Sequence, residues 1–204
     1  MKNSITPIPE EKKRLRKKIK DIYKTFSKSE ITEKSKKILD NLKSLETWNN
    51  TNTLFAFLPL SDEVDTSCII KEALTQGKKV AVPRINNNDI IFHYITSISK
   101  EEFIKHDYGM YEPLHKSESV NISDLDSSKI LILTPGMAFD KQCNRLGRGK
   151  SFYDRYLSEY GKNCIKAGIA FSFQIIENLP TEKHDVQLDF VITDKDIFSR
   201  TNPC

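Results

Sequence analysis

Between Pro135 and Asp154 the chain sets three cations, Arg145, Arg148 and Lys150, around Gly147 and Gly149 and closes the stretch with the carboxylate of Asp154. Glycine lets the backbone turn sharply and bring its amides close to an anion, while arginine offers a planar fork and lysine a point charge. That combination suits the oxygen atoms of a phosphate chain. Gly149-Lys150-Ser151 ends like a Walker A loop, but that loop needs a glycine five residues before its Gly-Lys pair, where this chain has Asn144. The P-loop assignment fails, and the local choice lies between an anion site and a solvated basic loop ahead of a helix.

Positive charge also gathers at Lys12, Lys13, Arg14, Arg16, Lys17, Lys18 and Lys20. Such a run serves either as an anion- or RNA-binding surface or as the solvated face of a helix. Glu63 can orient a ligand by hydrogen bonding or, with Asp62 and Asp65, belong to an ordinary acidic helix start. His93, His106, His115 and His184 make no metal motif, and Met110 is a single thioether with no partner set. Cys68, Cys143, Cys164 and Cys204 are scattered without a CxxC pair, which points to reduced thiols rather than zinc or a disulfide scaffold.

The elements that must position these groups follow from periodicity. Pro9 can open a helix in which Leu15, Ile19, Ile22, Tyr23 and Phe26 recur at helical spacing. Ser27 and Glu30 form a capping-box pattern ahead of a second helix with the stripe Ile31, Ile38, Leu39, Leu42 and Leu45. Strands are expected at 53–58, 80–82, 90–94, 130–133, 165–171 and 190–193, with helices at 66–76 and 153–160. The strand, helix, strand order over 53–82 suggests a parallel crossover. Residues 100–128 read as a long surface connection and 140–150 as a ligand loop.

With 204 residues, 38% of them hydrophobic and 29% charged, the chain fits one soluble domain, with residues 199–204 as an exposed tail. The expected fold is a three-layer α/β/α domain with a largely parallel or mixed central sheet and two N-terminal helices. The net charge of +4 favours an anionic ligand without establishing nucleic-acid binding. No apolar run is long enough to span a membrane, and the start MKNSITPIPEEKK lacks a secretory apolar segment, so cytoplasm is the expected compartment.

The stretch from Pro135 to Asp154 resembles the signature Pro-Gly-x-Ala-Phe-Asp-x-x-Gly-x-Arg-Leu-Gly-x-Gly-Lys-Gly-x-Tyr-Asp of the 5-formyltetrahydrofolate cyclo-ligase family. Further matches in family order are Lys12-x-x-Leu15-Arg16, Asp62 to Thr66, Val82-Pro83-Arg84, Glu112-Pro113 and Asp189. Cys143 and Ser151 stand where the signature has glycine, and Phe152 where tyrosine is commoner. The first two departures bear on loop geometry, and Cys143 could alternatively be a redox-reactive thiol.

The resemblance implies an ATP-dependent enzyme that closes the 5-formyl group of reduced folate onto N10, giving 5,10-methenyltetrahydrofolate, ADP and phosphate. It implies ATP contacts from Lys12, Lys13, Arg14, Leu15 and Arg16 on the first helix, and from Arg145, Leu146, Gly147, Arg148, Gly149, Lys150, Ser151, Phe152 and Tyr153 in the loop. Lys150, Arg145 and Arg148 are the candidates for neutralising the transferring phosphoryl group. Leu58, Glu63, Glu112, Arg148 and Tyr153 are implied at the folate, and Asp154 and Asp189 at Mg2+. The partners implied are 5-formyltetrahydrofolate and its polyglutamates, with no required protein partner, no membrane and no nucleic acid. Phosphate recognition alone leaves three alternatives open: an ATP-dependent ligase or kinase for another small heterocycle, an RNA-associated regulator, and a noncatalytic folate store.

Overall fold

The structure, a computed structural model, describes residues 7–87, 89–106, 109–114 and 116–200. His115, Cys204 and the end of the expected tail from residue 201 lie outside the described residues. Helix α1 (Ile8–Tyr23) holds Pro9 in its first turn, and α2 (Lys28–Ser44) opens with the expected capping box. Ser27 Oγ accepts from the Glu30 amide at 3.3 Å, and Glu30 Oε2 accepts from the Ser27 amide at 2.8 Å. Ile38 and Leu42 then bury the inner stripe of α2 completely, and the short α3 (Glu46–Asn50) seats Trp48 in the core.

Next come β1 (Thr53–Phe55), α4 (Ser67–Thr75), β2 (Lys79–Asn86) and β3 (Asp89–Ile95). Strand β1 stops three residues short of the expected Leu58 because the Phe57 carbonyl is taken by the Thr66 hydroxyl, at 2.5 Å, as the chain turns ahead of Pro59. The expected surface connection at 100–128 is more ordered than its polarity suggests. It contains the hairpin β4 (Phe103–Lys105) and β5 (Tyr111–Pro113), with β5 packed on β2.

The chain continues through β6 (Ile130–Thr134), the hairpin β7 (Ala138–Asp140) and β8 (Arg145–Leu146), α5 (Phe152–Tyr160), β9 (Ile165–Ile169), β10 (Ile175–Ile176), β11 (Phe190–Ile192) and β12 (Ile197–Ser199). Residues 140–150 are therefore not wholly a loop. The buried Asp140 carboxylate ties the hairpin by accepting from the amides of Gln142, Asn144 and Leu179. Ser199 belongs to an edge strand rather than to a tail, and the Arg200 amide donates to the Asp189 carbonyl at 2.9 Å.

The main sheet has seven strands in the order β12-β11-β9-β6-β1-β2-β3. Its inner strands are parallel, and β3 and β12 run antiparallel at the two edges. The step from β1 to β2 moves one way across the sheet and the step from β6 to β9 the other. Right-handed crossovers consequently place α4 and α5 on opposite faces, giving the expected layered α/β arrangement with a mixed sheet. The reversal lies between β1 and β6, and a crevice opens beyond the C-terminal ends of strands at such a point. The main core fills both faces of the sheet, while α1 packs through a separate small cluster of Leu15, Ile19, Met137, Ala138, Leu146 and Leu179.

Candidate active site

A cleft of about 530 Å³ occupies that crevice. Phe57 and Leu58 enter it from the end of β1, Pro83 and Ile85 from β2, and Pro135 and Gly136 from the end of β6. The remaining wall comes from Leu60 and Glu63 after β1, Ile90 of β3, α1, the β4–β5 hairpin, the turn from β8 into α5, and Glu182, His184 and Asp185. One side is apolar and suits a flat ring, and the other is rich in cations.

At the floor, Arg145 Nη2 donates to Asp154 Oδ1 at 2.7 Å, with the two side chains 3% and 10% exposed. Arg145 Nη1 donates to the Pro135 carbonyl at 3.2 Å, and its guanidinium lies 5.8 Å from the Tyr153 ring centre. Arg145 Nε and the Tyr153 hydroxyl are buried without a hydrogen-bond partner in the chain. Buried polar groups are normally satisfied, so these two atoms suit an acceptor brought by a ligand. Burial raises the Tyr153 pKa, with Glu63 adding to the effect, and keeps the phenol protonated.

The amino-terminal wall is held electrostatically. Lys12 Nζ donates to Glu182 Oε2 at 2.8 Å and to Asp185 Oδ2 at 2.6 Å. Burial opposes the charge on both partners, but the bonds outweigh it, so the Lys12 pKa is raised and that of Asp185 lowered. Arg16 Nε donates to the Gly147 carbonyl at 2.8 Å, linking α1 to the glycine turn. From the other side, Arg155 Nη1 donates to the Lys150 carbonyl at 3.0 Å while its Nε holds Asp89 at 2.8 Å.

Gly149 has φ +103°, and a β-carbon there would sit 3.6 Å from Arg16 Nη2, in a conformation that side chains rarely adopt. Ser151, at the start of α5, also lies in the left-handed region (φ 53°, ψ 20°) and makes no side-chain cap. The serine thus occupies a conformation that glycine adopts at no steric cost. Cys143 does the same at φ 66°. It is fully buried, and burial beside Asp140 and Asp189 pushes its pKa up to about 11, which leaves an inert thiol rather than a redox-reactive one.

At the rim, Arg148 crosses to the turn after β1. Its Nη2 and Nη1 donate to the two Asp62 carboxylate oxygens at 2.5 and 3.2 Å, and its Nε donates to Glu63 Oε1 at 3.0 Å. Glu63 Oε2 accepts from the Leu60 amide at 3.0 Å. Burial raises the Glu63 pKa despite Arg148. Burial would lower that of Arg148, but its bonds to Asp62 and Glu63 leave it raised.

The cleft gathers Lys12, Arg16, Leu58, Glu63, the whole run from Arg145 to Tyr153, and Asp154. Lys13 and Arg14 are instead exposed on the outer face of α1, and Leu15 packs beneath that helix. Glu112 is a buried residue of β5 rather than an exposed loop acid, and it is absent from the cleft wall. Its Oε1 accepts from the Ile85 amide at 2.8 Å, and its Oε2 lies 3.9 Å from Arg84 Nε.

Asp189 is absent from the cleft wall as well, because its carboxylate is engaged by the Lys166 amide, Lys166 Nζ and Arg200. The structure does not bring it to Asp154. Asp154 Oδ1 also accepts from the Val186 amide at 3.4 Å, and the preceding residue, Asp185, is the other aspartate of the cleft wall. Asp185 and Glu182 were not marked by any local sequence pattern, and neither was Asp62 distinguished from its acidic neighbours. Met110, the lone thioether of the long connection, lines the cleft with Tyr111.

Among the described residues no group of three or more His, Cys, Asp or Glu is arranged to hold a metal ion. That donor set fits magnesium only in company with phosphate oxygens, which is how this ion is commonly bound, with one or two protein carboxylates. No helix among the described residues is long and apolar enough to cross a membrane.

Residues 8–194 match the sequence model of the 5-formyltetrahydrofolate cyclo-ligase family. A 5-formyltetrahydrofolate cyclo-ligase from Mus musculus is 30% identical over 195 residues, which cover 89% of this chain and 92% of that protein. The NMR structure of a 5,10-methenyltetrahydrofolate synthetase from Aquifex aeolicus superposes with a TM-score of 0.79 at 32% identity, covering 95% of this chain and 94% of that one. A 5,10-methenyltetrahydrofolate synthetase from Mycoplasma pneumoniae gives 0.71 at 27% identity, covering 90% and 99%.

Proposed function

The chain belongs to the 5-formyltetrahydrofolate cyclo-ligase family, and from that premise we propose that its cleft binds ATP along the cationic side and reduced folate along the apolar side and joins N5 and N10 through the formyl carbon. The observation that carries this reading is the convergence of Lys12, Arg16, Arg148 and Lys150 with the apolar wall of Phe57, Leu58 and Ile85 in one crevice.

A formamide carbonyl is a weak electrophile, because nitrogen donates into it, and its oxygen is a poor leaving group. The formyl oxygen attacks the terminal phosphorus of ATP, an O–P bond forms, and the bond to the β-phosphate oxygen breaks to release ADP. N10 then attacks the formyl carbon and loses its proton, and the C–O bond breaks to release phosphate. Lys150 and Arg148 neutralise charge that develops on the transferring group, and Gly147 to Gly149 let the backbone approach it. Arg145 Nε and the Tyr153 hydroxyl offer hydrogen bonds at the floor, and Glu63 orients the folate from the rim. Magnesium bound with ATP would add charge neutralisation, and Asp154 and Asp185 are the carboxylates available to hold it.

We place this chemistry in the cytoplasm, with 5-formyltetrahydrofolate and its polyglutamates as substrates. Purified chain mixed with 5-formyltetrahydrofolate, ATP and magnesium is expected to generate the methenyl chromophore with one ADP per product. ADP formation on another heterocycle alone would support the broader ligase or kinase reading. Folate binding without ATP consumption would support a store, and saturable RNA binding without turnover a regulator.

A further inference from the structure

The clasp formed by Arg148 spans the two sides of the cleft. Its guanidinium leaves the glycine turn and is held by two carboxylates of the turn after β1, with both terminal nitrogens on Asp62 and Nε on Glu63. Glu63 is a fixed post, because its other oxygen is held by the Leu60 amide. Oε1, which carries only the bond from Arg148 among the bonds named here, is the oxygen over which a ligand donor and Arg148 compete. Asp62, by contrast, is not part of the cleft wall, so its influence on bound ligands passes through Arg148.

We propose that Asp62 is a positioning residue that parks Arg148 against Glu63 and thereby couples the nucleotide and folate halves of the cleft. A phosphate chain that takes the N–H groups of Arg148 now on Asp62 draws it off that carboxylate, and a folate donor that takes the Oε1 lone pair facing Arg148 displaces its Nε from Glu63. Either event opens the same clasp. The first ligand bears the opening cost, and the second meets a clasp already open, which is positive cooperativity through a shared conformational step. By reciprocity the factor by which nucleotide tightens folate equals that by which folate tightens nucleotide. The inference rests on the reading that nucleotide and folate share this cleft.

Calorimetric titration of the full chain with a nonhydrolysable ATP analogue and magnesium, with and without 5-formyltetrahydrofolate, tests it. In the parent each ligand is expected to tighten the other about five-fold, the scale of a partly exposed ion pair. Asp62→Asn is expected to bind the nucleotide alone more tightly by a similar factor, with the coupling falling toward one, and Asp62→Glu to restore part of it. A purely structural role for Asp62 would weaken nucleotide binding and leave the coupling ratio unmoved, which would overturn the proposal. The parent's own coupling needs no variant. A parent that forms the methenyl product yet binds the two ligands independently overturns the clasp while the reaction stands, and a parent that forms no product overturns both.

Discussion

Arg145 and Asp154 face each other at 2.7 Å on the floor of the cleft, with both side chains almost out of water. Removing one member of such a pair leaves the other charge buried, which costs about 3 to 5 kcal/mol. Arg145→Met is therefore expected to lower stability by that order in urea unfolding, and Arg145→Met with Asp154→Leu to recover much of it. A single variant as stable as its parent would remove the ion pair from the floor's support.

Ser151 carries a β-carbon at φ 53° with no capping bond to offset it. A residue other than glycine held in the left-handed region costs about 1 to 2 kcal/mol, and the greater freedom of glycine in the unfolded chain returns about 0.4 to 1 kcal/mol of that. Ser151→Gly is expected to raise the melting temperature slightly and to tighten MgATP binding while cyclisation continues. Weaker nucleotide binding in the glycine variant would mean that the hydroxyl supports the turn in the working enzyme.

The Lys12 and Asp185 shifts set a pH window. Asp185 is lowered in the fold, so its contribution is complete above the ordinary carboxylate range near 3.9 and disappears as pH falls through the lowered value. Lys12 is raised, so its contribution is present below about 10.4 and is lost as pH rises through the raised value. The stability gap between the parent and Asp185→Asn should be level across neutral pH and shrink in acid, as denaturant midpoints at several pH values would show. A gap that widens in acid contradicts the assignment.

Glu63 has the opposite sign. Its pKa is raised by burial, so its favourable share is present below the ordinary value near 4.3 and lost as pH rises through the raised one. Glu63→Gln is expected to be more stable than the parent at pH 8, with the difference closing in acid, and to lose cyclisation. Equal stability of the two proteins at pH 8 would show that Arg148 fully compensates the buried charge.

Lys150 is exposed at the end of the glycine turn. Lys150→Ala should leave unfolding within about 0.5 kcal/mol of the parent while ATP-dependent cyclisation falls strongly. Unchanged turnover would take Lys150 out of the reaction path.

Local chemistry made much of this readable in advance. The capping box at Ser27, the stripes of α1 and α2, the β1–α4–β2 crossover and the cations of the glycine turn all rest on neighbours in sequence. What stayed hidden depends on distant segments meeting. Lys12 finds Asp185 across 173 positions and Arg148 finds Asp62 across 86, and no periodicity reports such pairs. Asp189 and Glu112 carried the right chemical type but are occupied by Lys166 and Arg200 in one case and the Ile85 amide in the other. A serine at position 151 reads from sequence as a turn adapted to ordinary negative φ or as a cap for the next helix. Its backbone is instead left-handed and uncapped, in a turn braced by Arg16 at Gly147 and by Arg155 at Lys150, contacts that lie far off in sequence or are invisible to residue type.

Helix α1 brings Lys12 and Arg16 to the cleft, yet it docks chiefly through its own small cluster and meets the main core only at its last residue, Tyr23, beside Phe171. Lifting it away would not require the sheet to open, so it can come loose as a unit at a fraction of the cost of global unfolding. Anything that bridges Lys12, Arg16 and the glycine turn acts as mortar for that seam. Amide exchange along α1 would then report occupancy of the cleft, and a protease that cuts the loosened helix would be held off by the nucleotide: the bound molecule is in this sense part of what folds the amino terminus.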